Sequence, residues 1–80
     1  MNYNHIDNVK NYIKQLKEIC GADSKWYSEL DWFSSVNYTT TSEYYGELLL
    51  FVKNLLKDKD MEVFHVDLQN LYKTLSEYFN

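Results

Sequence analysis

The chain has 80 residues, 45% of them hydrophobic and 25% charged, with a formal net charge of −4. A chain of this length hides roughly 60% of the surface that its unfolded form exposes. A core of that size leaves no room for a substrate cavity of about 300 Å³ or more, which argues against a self-contained enzyme. All of the cations are lysine, and with the acidic balance this opposes binding to nucleic acid or anionic membranes and favours a basic protein partner.

Residues 5–20 carry the clearest pattern. Ile6, Val9, Ile13, Leu16 and Cys20 recur at spacings of three and four, which puts them on one helical stripe. Lys10, Lys14, Lys17 and Glu18 fall off that stripe, and Gly21 stands where a left-handed residue closes a helix. A second helix is predicted over about 24–34, capped by Asp23 or Ser24. Its inward face is Trp26, Leu30 and Phe33; Tyr27 and Asp31 share a flank, and Trp32 points away from the core stripe. Val36, Tyr38 and Thr40 alternate with polar residues, so a short extended segment is expected at 35–40.

Thr40-Thr41-Ser42-Glu43 fits a capping box, which starts a third helix over about 41–57. Tyr44, Tyr45, Leu48, Leu49, Phe51, Val52, Leu55 and Leu56 cover more than half of its circumference, and Leu50 faces outward. Gly46 leaves two readings open. It sits inside the helix at a cost of about 1 kcal/mol relative to Ala, or it marks a later start that leaves the Tyr pair in a loop. Asp60 is a natural cap for a fourth helix over about 61–79, with Met61, Phe64, Leu68, Leu71, Leu75 and Tyr78 as its stripe and Tyr72 and Phe79 beside it. Val63 and Val66 lie off the stripe, so the opening MEVFHV reads as irregular or briefly extended, with Asp67 as the alternative cap. The fold class is therefore all-α: a small antiparallel four-helix bundle, forming a single helical domain over 1–80.

Little in the chain suggests catalytic chemistry. Cys20 is the sole cysteine, which excludes an internal disulfide, and its place on the apolar stripe suits a small hydrophobe. Cys20, His5 and His65 lack metal-ligand spacing. The carboxylate pairs Glu29 with Asp31 and Glu43 with Glu47 read as solvated surface, and the two glycines stand apart, so no phosphate loop forms. No catalytic residue, metal or cofactor is expected. The first residues lack the apolar core of a signal peptide, and the longest apolar run, Leu48 to Val52, is far short of a membrane span. A cytoplasmic location is the expectation.

Residues 23–47 stand apart. They hold half of the aromatic side chains, and Asp23, Glu29, Asp31, Glu43 and Glu47 against Lys25 account for the entire net charge of −4. The candidate partner-binding residues are Tyr27, Glu29, Asp31, Trp32, Glu43, Tyr44, Tyr45 and Glu47, with Trp32 as a rigid anchor ringed by charge. Trp26 and Phe33 suit the core, whereas Tyr44 and Tyr45 are core or interface depending on where the third helix begins. This pattern implies a small acidic inhibitor that occupies a basic surface or groove of a partner protein. A nuclease or another nucleic-acid-binding protein is one such target, because carboxylates can stand where phosphates would bind.

In size, acidity, helical content and the Tyr44-Tyr45 pair, the chain resembles helical bacteriocin immunity proteins. The pair is not followed here by proline and the acidic loop of those proteins, so the resemblance transfers no residue roles. Abundant Asn, Lys, Tyr, Ile and Phe suggest an AT-rich coding sequence of bacterial or phage origin, and a phage anti-defence protein would share these features. The competing expectation is a helical regulatory or adaptor module that acts as a homodimer through apolar surface such as Leu50 and Val66.

Overall fold

A computed structural model describes residues 5–38 and 40–79. Thr39, within the expected extended segment, lies outside the described residues, as does the side chain of His5. The fold is all-α, as the periodicity implies. Its elements are α1 (His5–Cys20), α2 (Tyr27–Ser35), α3 (Thr41–Leu56), a 3-10 helix (Lys59–Phe64) and α4 (His65–Tyr78), with no strand among the described residues. They fall into two compact units, Met1–Asn37 and Tyr38–Asn80.

In the first unit, α1 follows its predicted bounds. Gly21 closes it with φ +80°, and the Gly21 N–H donates to the Lys17 carbonyl at 3.0 Å. Lys17 meets Asp31 and Lys10, two turns earlier in α1, meets Asn37 beyond the end of α2, so the pair runs antiparallel. Val9, Ile13, Leu16, Leu30 and Phe33 are buried. Each fully buried side chain of this size contributes about 1.5–3 kcal/mol.

Helix α2 begins three residues later than the expected start at 24. The Ser24 N–H donates to the Gly21 carbonyl and the Tyr27 N–H to the Ser24 carbonyl, so residues 21–27 turn tightly before the helix opens. The Ser24 hydroxyl accepts from the Trp26 N–H at 3.1 Å within that turn. Neither Asp23 nor Ser24 caps α2; the N-cap position is Trp26, with no side-chain cap bond. Trp26, at the N-cap, is not buried as Leu30 and Phe33 are. It is half-buried, with the Lys25 ammonium 5.4 Å from its ring centroid.

The second unit opens on extended backbone. Thr40 has φ −132° and ψ 152°, and its hydroxyl accepts from the Glu43 N–H at 3.2 Å, forming the threonine half of the expected capping box. Gly46 lies inside α3, which resolves the choice left open by the sequence. Tyr45 near the start of α3 meets Tyr78 at the end of α4, so these two helices also run antiparallel. The cap of the 3-10 helix is Asp58 and not Asp60: its carboxylate accepts from the Asp60 N–H at 3.0 Å. Residues 61–64 are 3-10 helix, not extended, and Asp67 falls in the first turn of α4, past its start at His65.

The tighter 3-10 winding turns Met61 inward and leaves Val63 84% exposed, while Val66 is 71% exposed. Leu68 and Leu75 are buried as the stripe predicts, but Tyr78 is not.

Candidate functional site

The eight candidate residues belong to both units, and each group is described by itself. In the first unit, α2 carries Tyr27, Glu29, Asp31 and Trp32. Trp32 is 46% exposed, and its indole meets the buried Phe33 ring edge-on at 4.9 Å between centroids. That contact is geometrically favourable for aromatic pairs, and it steadies the indole while leaving much of it open to solvent.

Asp31 and Tyr27 both meet a lysine of α1. Asp31 Oδ1 lies 2.9 Å from Lys17 Nζ, and the same ammonium stands 5.8 Å from the Tyr27 ring centroid. The three side chains form a seam between α1 and α2. The Asp31 carboxylate beside Lys17 raises the lysine above its ordinary pKa, against the opposing pull of burial. Asp31 thus spends its charge on the fold.

Residues one turn from Trp32 on its own helix face are Ser28, Glu29 and Ser35, all exposed. The Ser34 and Ser35 hydroxyls donate to the Asp31 carbonyl at 2.8 and 3.1 Å, a local back-bonding pattern at the end of α2. On α2, the residues one turn from the indole are thus small hydroxyl side chains and one carboxylate. Ser28 and Ser35 went unremarked in the sequence, although their i−4 and i+3 spacing from Trp32 was the signal that could have found them.

In the second unit, Glu43 and Glu47 are exposed one turn apart on α3. Tyr38 stands beside them. Its phenol is pushed up, first by burial and then by the charges of Glu47 and Glu43. Glu43 in the first turn of α3 is favoured by the helix dipole.

Tyr44 and Tyr45 are removed from the candidate surface. They are 0% and 3% exposed, because a helix that begins at Thr41 puts both on the face carrying Leu48, Phe51, Val52 and Leu55. Burial pushes the Tyr44 phenol far up, with smaller effects from Tyr45 and Tyr38. The Tyr45 phenol is raised by burial and by Tyr78.

The reactive groups set aside on sequence grounds keep modest surroundings. Cys20 is half-buried and its thiol is pushed up by burial, partly offset by a hydrogen bond with Ser24. Among the described residues, no three His, Cys, Asp or Glu side chains gather as a metal site, and no helix is long and apolar enough to cross a membrane. Compared with protein-family models, curated proteins and solved structures, the chain matches none of them.

Proposed function

We propose that the chain is a non-catalytic, acidic protein-binding domain that blocks a basic surface or groove of a partner protein. The observation that carries this reading is Trp32, a large apolar side chain 46% exposed and held edge-on by the buried Phe33. Bulky rings steadied in this way lose little conformational freedom on binding, which is why aromatic anchors dominate interface energetics. Glu29 on the same face, and Glu43 and Glu47 in the second unit, supply the negative field that would steer a basic target. Asp31 no longer belongs to the contact set, since Lys17 pairs with it.

Affinity capture with the parent chain and with Trp32→Ala, followed by assay of the purified partner's nucleic-acid binding, tests this reading. The expected result is capture that weakens as salt rises, is lost in the variant, and inhibits the partner. A partner held equally well by the variant would overturn it.

A second reading, a homodimeric regulatory or adaptor module, draws on Leu50 and Val66, which are 59% and 71% exposed. Sedimentation equilibrium separates the two: a concentration-independent monomer removes the dimer.

A further inference from the structure

The outer face of α3 carries charges placed symmetrically about one exposed leucine. Leu50 is 59% exposed. At 3.6 residues per turn, Glu43, Glu47, Lys53 and Lys57 all lie within about 60° of it, away from the buried face that holds Leu48, Val52 and Leu55. All four are exposed, and Lys57, the C-cap, keeps near-helical backbone at φ −87° and ψ −10°. Glu47 and Lys53 stand three residues either side of Leu50, and Glu43 and Lys57 stand seven.

None of the four charges makes an ion pair among the described residues. Within α3 no opposite charge lies one turn from any of them. Each instead has a like charge one turn away, Glu43 beside Glu47 and Lys53 beside Lys57, which is mildly unfavourable for a helix alone. The helix dipole accounts for Glu43 in the first turn and for the lysines at the far end. It does not account for Glu47 in the second turn, nor for a leucine left in solvent between the two signs.

We propose that this face takes the same face of a second copy of the chain, the two α3 helices crossing antiparallel with Leu50 against Leu50. A two-fold axis at that point brings residues equally far before and after Leu50 to the same level on facing helices. Glu47 then meets Lys53 of the second copy and Glu43 meets its Lys57, each pair being made twice around the leucine contact. Side chains of this length span helices packed about 8–10 Å apart. A parallel crossing would set like charge against like. One helix face covers less than the ~1,200 Å² of a stable complex, so the association is weak, with Kd on the order of 0.1 mM. The proposal rests on the homodimer reading above and gives it a surface and a direction. A basic partner and a second copy then compete for Glu43 and Glu47, whereas Trp32 and Glu29 belong to the first unit and take no part.

The test is sedimentation equilibrium of the full chain at concentrations up to about 1 mM, on the parent and on charge reversals at exposed positions. Each copy carries a net charge of −4, so salt both relieves the general repulsion and screens the pairs, and reversal separates the two effects where ionic strength does not. The parent should associate. Glu47→Lys or Lys53→Glu sets like charges opposite each other twice per dimer and should raise Kd about tenfold. An equal mixture of the two variants should associate as the parent does, because each supplies the charge that the other lacks. The chain carrying both reversals should do the same, and Trp32→Ala should match the parent. A parent that stays monomeric throughout overturns the homodimer reading and the proposal together. A parent that dimerises while the single reversals dimerise equally well keeps the homodimer but overturns this face. The same follows if the mixture, with circular dichroism like the parent's, fails to recover, or if Trp32→Ala abolishes association.

Discussion

Lys17 reaches across from α1 to Asp31 on α2, with 2.9 Å between Nζ and Oδ1, and this pairing decides what the α2 surface can offer a partner. Asp31 retains 56% side-chain exposure, but its charge is answered within the unit. Exposed pairs of this kind contribute little to stability and are screened by salt. Asp31→Asn should therefore lower the urea midpoint slightly at low ionic strength, with the difference closing as salt is added. Partner capture should change far less than in Glu29→Gln. A variant that abolished capture while folding normally would return Asp31 to the contact surface.

Neighbouring aromatics on α2 should respond very differently to truncation. Phe33 is buried, and removing such a ring costs about 3–5 kcal/mol, a large part of the stability of a small domain. Trp32 is 46% exposed, so Trp32→Ala, although it gives up the edge-on contact with Phe33, should cost clearly less than Phe33→Ala. Chemical denaturation followed by circular dichroism compares the two directly. If Trp32→Ala unfolds the chain as Phe33→Ala does, the indole is structural and the proposed anchor is wrong.

That contrast also shows where the sequence was readable. Leu30, Phe33 and outward-facing Trp32 follow from helical angle alone, as do the stripe of α1 and outward-facing Leu50, because one period runs unbroken through each helix. The misplacements gather where short polar side chains had a choice of backbone partner. Ser24 serves the Trp26 N–H in a turn and delays α2, which leaves Trp26 at the N-cap and half-buried. Asp58 takes the capping role given to Asp60, and a 3-10 turn replaces the irregular opening of the last helix. Competition of this kind between side-chain and helical hydrogen bonds is local and nearly balanced, so periodicity does not report it. Of the candidate site, the Asp31–Lys17 seam was not readable, since it depends on how α1 and α2 pair. Burial of Tyr44 and Tyr45 turned on whether Gly46 lies within the helix.

Gly46 itself offers a gain in stability. It lies within α3, and a Cβ built on it meets nothing within 4 Å. Alanine removes backbone freedom from the unfolded chain and restores helix propensity, for about 0.5–1 kcal/mol. Gly46→Ala should raise Tm by about 2–8 °C in a domain of this size. Calorimetry checks it, and an unchanged or lower Tm would mean that α3 does not run through this position.

Alkaline pH should destabilise the second unit through Tyr44. In the unfolded chain the phenol ionises near its ordinary value of 10.0, whereas burial against Tyr45 and Tyr38 holds it neutral in the folded chain to well above that. Between those two values the folded state binds the extra proton, so stability is fully present below about pH 10 and falls as pH rises further. Tyr45 and Tyr38, in the same unit, are shifted in the same direction and add to the same slope. The urea midpoint should thus stay level from about pH 7 to about pH 9.5 and then decline, with phenolate absorbance appearing together with unfolding. Tyr44→Phe removes the most strongly shifted of these phenols, so its midpoint should decline less steeply above pH 10 while matching the parent more closely below it. Equal slopes for parent and variant would show that Tyr44 ionises without unfolding the chain, and hence that its ring is not buried in solution.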